Sequence, residues 1–187
     1  EDDRAADGGV AALGLDVASP DVEVVTLLRR ATYKLVLRGQ GNHEGITLTI
    51  LRSNNAKMEI ECQNGGATTY LVGYPDWVPD APCGDGHPPN ASMGCPNDGK
   101  SGGWPTDWFW VRYGVRAKTV YVKIWGELEP EPAEWFLNVT NDANFNQRCP
   151  STAGFVGFKA FQTSTYRIGR FGWAVDGGMA GGPMPPP

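Results

Sequence analysis

Trp108, Trp110 and Arg112 alternate along one run of the sequence, and Tyr121, Lys123 and Trp125 alternate along the next. If both runs are β-strands, alternation turns these six side chains onto one face. Aromatic rings stack on sugar rings, and neighbouring cations bind hydroxyls or the carboxylates of acidic glycans. Three readings fit such a face. It is covered by a long loop that carries Trp77 and Trp104, it packs on another copy or another domain, or it binds a glycan.

Catalytic chemistry finds less to work with. A retaining glycosidase needs two carboxylates about 5 Å apart. The nearest acidic sets are Glu59 with Glu61, and Glu127, Glu129, Glu131 and Glu134. Glu59 and Glu61 share a strand face and read as a solvated edge beside Cys62, whereas the Glu-Pro-Glu-Pro set reads as turn chemistry. A lyase needs a general base such as His or Tyr beside a neutralising Arg, Asn or Gln. His43 and His87 both lie in Gly/Pro/Asn-rich stretches. No catalytic residue, resident metal or cofactor is therefore expected. A Ca²⁺ site among Asp76, Asp80, Asp85, Asn97, Asp98 and Asp107 is the one cofactor alternative, and these residues are also ordinary turn formers.

A net charge of −5 without clustered cations argues against a nucleic-acid surface, and no run of about 20 apolar residues is present to span a bilayer. Four cysteines form an even set without zinc-ligand spacing. Of the three possible pairings, Cys83–Cys95 and Cys62–Cys149 are favoured, the first closing a Pro/Gly loop and the second tying a strand end to the connection before Gly154. The sequons Asn90-Ala-Ser92 and Asn138-Val-Thr140 stand beside them. Alternation turns Trp135, Leu137 and Val139 inward and Asn138 outward, where a glycan is tolerated. Disulfides and sequons together point to a secreted, extracellular or cell-surface protein.

With 25 glycines, 15 prolines and no convincing amphipathic helix, the chain reads as many short strands between turns. Strands are expected at Val10–Val17, Val22–Leu28, Tyr33–Arg38, Ile46–Arg52, Lys57–Cys62, Thr68–Tyr74, Trp108–Val115, Thr119–Trp125, through Leu137–Val139, at Gly154–Phe161 and at Thr165–Val175. A turn at Ala117-Lys118 joins the seventh and eighth. The aliphatic face of that pair, with Phe109, Val111, Tyr113, Val115, Val120, Val122 and Ile124, belongs to the core. Residues 1–9 read as a frayed segment, 10–176 as one sandwich with a long insertion at about 75–105, and 177–187 as a Gly/Pro-rich linker to the rest of a larger protein.

Lys123-Ile-Trp125, Glu129-Pro-Glu-Pro-Ala-Glu-Trp135 and Gly154-Phe-Val-Gly157, in this order among the strands, resemble the concanavalin A-like (laminin G-like) jelly-roll domains. The likeness extends over residues 10–176 and is specific over 106–176. The Cys83–Cys95 insertion departs from that family's pattern. Phe158-Lys-Ala-Phe-Gln162 resembles a motif of alginate-lyase jelly rolls, without the arginine-rich and Gln-x-His motifs that accompany it there. The terminal prolines resemble the proline-rich stalks of green-algal wall and flagellar-surface glycoproteins. The resemblance implies an all-β antiparallel jelly-roll sandwich with one long disulfide-closed loop insertion. The expected role is a non-catalytic structural or adhesive module acting through protein packing, with other extracellular glycoproteins or further copies of itself as partners. The alternatives are a carbohydrate-binding module with a polysaccharide partner, and a divergent polysaccharide lyase or glycosidase.

Overall fold

The computed structural model describes residues 12–29, 33–40, 44–51, 57–64, 67–72, 108–127, 130–135, 137–140, 145, 149–159 and 168–181. Eleven strands are present in them: β1 (Ala12–Asp16), β2 (Val22–Arg29), β3 (Tyr33–Gly39), β4 (Gly45–Leu51), β5 (Lys57–Asn64), β6 (Ala67–Val72), β7 (Trp108–Arg116), β8 (Thr119–Gly126), β9 (Leu137–Thr140), β10 (Phe155–Lys159) and β11 (Ile168–Val175). They form two antiparallel sheets in the orders β1-β10-β3-β4-β5-β6 and β11-β2-β7-β8-β9. The fold is an all-β antiparallel sandwich, compatible with a jelly roll. Among the described residues no helix is long and apolar enough to cross a membrane.

Period-two alternation builds the core. Val22, Val24 and Leu28 of β2, Phe109, Val111, Tyr113 and Val115 of β7, and Val120, Val122 and Ile124 of β8 face inward from the five-stranded sheet. Tyr33, Leu35, Leu37, Ile46, Leu48, Ile50 and Ile60 meet them from the six-stranded sheet. Full burial of such a side chain contributes about 1.5–3 kcal/mol, so this layer supplies the main driving force. The Tyr113 hydroxyl crosses the layer to the Ile46 carbonyl at 3.2 Å. Burial raises its pKa well above the usual tyrosine value.

One disulfide, Cys62–Cys149, ties β5 to the connection before β10 across 87 residues of sequence, spanning the long loop. The other expected pair, Cys83–Cys95, lies outside the described residues, as do Asn90, Trp77, Trp104 and the six candidate Ca²⁺ ligands. Near Cys149, Arg38 is buried with a left-handed φ of 51°. Its guanidinium donates to the carbonyls of Pro20 (2.6 Å), Pro150 (3.1 Å) and Ala117 (2.9 Å), reaches Asp21 Oδ1 (3.4 Å), and sits 5.7 Å from the Phe145 ring centre. One cation thus fastens the β1–β2 connection, the β7–β8 turn and the segment before β10. Burial lowers its pKa, and Asp21 partly offsets that effect.

Loop-closure entropy for an 87-residue separation implies that the disulfide contributes about 4–5 kcal/mol. Paired Cys62→Ser and Cys149→Ser substitutions should therefore lower the urea-unfolding free energy by several kcal/mol; a loss under 1 kcal/mol would show that the reduced unfolded chain is already constrained.

Candidate functional site

The six side chains singled out by type and spacing do share the outer face of the five-stranded sheet. Register stacks them in rows: Leu27–Trp110–Trp125, Val25–Arg112–Lys123, and Glu23–Gly114–Tyr121–Asn138. Trp110 and Trp125 stack with ring centres 6.1 Å apart and planes at 14°. Gly114 lets the Tyr121 ring lie across β7, because a Cβ there would fall within 2.5 Å of the Tyr121 hydroxyl. Tyr121 is pushed up to about 12, first by burial and then by the Glu23 charge.

This face is not open. Trp125 is 0 % and Arg112 2 % exposed, and Trp110 is buried while Trp108 is partly so. Two segments of the same chain lie over it. Ala180 packs against Val25, Leu27, Trp110 and Trp125. Its amide donates to Glu23 Oε1 at 3.0 Å, and its carbonyl accepts from Arg112 Nη1 at 3.1 Å. Residues 177–181, expected as the start of a free linker, are therefore tied to the sheet as far as Ala180. From the other side comes Glu131, which grips Arg112 bidentately at 2.9 and 2.8 Å and Lys123 Nζ at 3.3 Å. Lys123 also donates to the Pro132 carbonyl at 2.7 Å. Glu23 forms an ion pair with Arg112 Nη1. Burial acts to lower the Arg112 pKa, but the Glu131 hydrogen bonds and the Glu23 charge outweigh it and raise it.

Two expectations change here. Glu131, placed among turn residues, is the counter-ion of two buried cations. Trp135, expected to point inward, is 37 % exposed and sits on the outer face, its ring edge-on to Tyr121 (4.6 Å between centres) and 4.4 Å from Lys123 Nζ. The alternation that turns Leu137 towards the core and Asn138 to solvent begins only with β9 at Leu137. Trp135 precedes it and is not bound by that parity.

A second polar surface lies on the outer face of the six-stranded sheet, where the sequence offered only Glu59 and Glu61 as a solvated edge. β5 is not an edge strand, and Glu61 is buried. Register aligns Gly14–Gly157–Val36–Thr47–Glu61 in one row and Lys159–Lys34–Thr49–Glu59 in the next. Lys34 Nζ lies 3.6 Å from Glu61, and Lys159 Nζ donates to Gln63 Oε1 at 3.3 Å. The fully buried Thr47 hydroxyl has no hydrogen-bond partner among the described residues. Phe155 lies over Gly14 and Gly39, where a Cβ at Gly14 would come within 2.6 Å of its ring. Burial together with the Glu61 charge raises Glu59, whereas burial lowers Lys159, which is 5 % exposed, to about 8. Glu59 and Lys159 stand at opposite ends of that row with Lys34 and Thr49 between them, and burial disfavours the charged form of each. The signal was the parity of Lys34, Thr47, Thr49, Glu59 and Lys159, and it becomes a surface only once β10, β3, β4 and β5 are paired.

No protein-family model matches this chain, and no curated protein matches it. Among the described residues no group of three His, Cys, Asp or Glu is placed to hold a metal ion.

Removing the Arg112 charge leaves Glu23 buried without its partner, and breaking such a pair costs about 3–5 kcal/mol. Arg112→Met should lower the unfolding free energy by that amount, and Glu131→Gln by less, because Glu131 is partly exposed. Equal losses would place the main anchor elsewhere.

Lys159 gives a pH test. Its folded pKa of about 8 lies below that of the free amine, so between the two values the unfolded chain holds a proton that the folded domain does not. Stability therefore rises with pH across that window. Any stability advantage of Lys159→Met over the parent should be largest below about pH 8 and shrink towards about pH 10. A difference that stays flat across this range in urea titrations would refute the assignment.

Proposed function

We propose that this chain is a secreted carbohydrate-binding β-sandwich of the concanavalin A-like type, with its binding surface on the outer face of the six-stranded sheet. The observation that carries this reading is the pair of rows holding Thr47, Thr49, Glu59, Glu61, Lys34 and Lys159, with Gln63 beside them. Lys34 and Gln63 are the partly exposed polar members of this face; Gln63 would orient a saccharide hydroxyl, and Lys34 would meet a carboxylate or a second hydroxyl. The disulfide Cys62–Cys149 suits an oxidising compartment.

The packing or adhesive role rested on the tryptophan and cation face. There Ala180 and Glu131 already occupy the positions a partner would take. One observation favours a second reading, a divergent polysaccharide lyase. Lys159 at about 8 retains a neutral fraction near physiological pH and stands beside Gln63, which suits a general base.

Affinity electrophoresis through neutral and uronate-containing polysaccharides separates these outcomes. The parent chain should be retarded, and Lys34→Ala or Gln63→Ala should each weaken binding by about tenfold or more, as expected for a lost charged hydrogen bond. Trp110→Phe should leave binding unchanged. Retardation that survives both substitutions, or none by any polysaccharide, overturns this reading. Release of unsaturated products that stops in Lys159→Met would move the reading to the lyase.

A further inference from the structure

We propose that Asn138 is N-glycosylated and that Trp135 is the platform on which the first sugar of that glycan stacks, making the glycan part of the folded surface. Asn138 and Thr140 are exposed on β9, the end strand of its sheet. Asn138 pairs directly with Tyr121, so both side chains stand on the outer face. Tyr121 in turn holds Trp135 by an edge contact at 4.6 Å, and Lys123 lies 4.4 Å from the same ring. Trp135 thus shares its immediate neighbour with the sequon asparagine, three residues along the chain.

The indole is 37 % exposed, and Tyr121 and Lys123 fix its position. A rigid aromatic beside a sequon offers the axial C–H face of an N-acetylglucosamine ring a flat apolar surface, while its hydroxyls stay in water. Pinning the ring beforehand reduces the entropy lost when the sugar docks. The attachment step is a transfer from a lipid-pyrophosphate-linked oligosaccharide. Asn138 Nδ2 bonds to the anomeric carbon as the bond from that carbon to the pyrophosphate oxygen breaks. The lipid pyrophosphate leaves with the electron pair, one amide proton is lost to a base, and no redox change occurs. A glycan here also shields the end strand β9 from pairing with another sheet. The proposal requires passage through a secretory route but not saccharide binding on the six-stranded sheet, so either can fail without the other.

The test is secretion of the full chain from a glycosylating eukaryotic cell, followed by peptide mass analysis around residue 138. Melting temperatures are then compared for six proteins: the parent, Trp135→Ala and Trp135→Phe, each with and without Asn138→Gln. Asn138 should be occupied, and the glycan should raise the melting temperature by a few degrees in the parent. That increment should vanish on the Trp135→Ala background and be retained with Trp135→Phe. Because each background has its own Asn138→Gln reference, a general effect of losing the indole cancels. An unmodified Asn138, or an increment that persists in Trp135→Ala, overturns the proposal.

Discussion

Arg112 is a cation almost wholly withdrawn from water at the centre of a sheet face, and the outer layer of the molecule is arranged around it. A guanidinium in that position is tolerated only when its donors are met. Its Nε and Nη2 take both oxygens of Glu131, and Nη1 takes Glu23 together with the Ala180 carbonyl. Three other parts of the chain therefore converge on this one residue of β7: β2, the 130–135 connection and the segment after β11. Planar bidentate pairing suits arginine here, because a lysine could not hold Glu131 through two parallel bonds. The same anchoring keeps Ala180 over Trp110 and Trp125, whose indole nitrogens find no hydrogen-bond partner among the described residues. The two indoles are held by apolar burial and stacking.

The two outer faces divide the labour. On the five-stranded sheet, opposite charges alternate through Glu23, Arg112, Glu131 and Lys123 and neutralise one another. That is the chemistry of a closed interface. On the six-stranded sheet the charge balance is less complete, since burial destabilises the charged forms of Glu59 and Lys159. Each face also buries polar atoms that have no hydrogen-bond partner among the described residues, Trp110 and Trp125 on one and Thr47 on the other.

Much of the architecture was legible in the residues. β-branched and aromatic runs located strands at Val22–Leu28, Tyr33–Arg38, Trp108–Val115 and Thr119–Trp125 to within a residue or so of β2, β3, β7 and β8. The aliphatic parity of Phe109–Val115 and Val120–Ile124 identified the core face correctly. The pairing Cys62–Cys149 was also among the favoured ones. Boundaries slipped by one residue where alternation continues past the hydrogen-bonded ladder: Val17 lies just after β1 and Gly154 just before β10. Trp135 was assigned an inward direction by extending the parity of β9 backwards into a segment that is not strand.

Sequence by itself determined which residues alternate, because the two-residue period of a strand is a local property of the backbone. It thereby set which side chains share a face: Trp110 with Arg112, Tyr121 with Lys123, and Glu59 with Glu61. Only the tertiary structure decided what stands over those faces. Whether an aromatic and cationic surface meets water, a sugar or its own chain depends on strand order and on the path of remote segments, which no local period encodes. Ala180 and Glu131 carry no pattern that marks them as partners of Arg112. They become so because antiparallel pairing of β11, β2, β7 and β8 brings the segment after β11 and the Glu-Pro connection over the same buried charge.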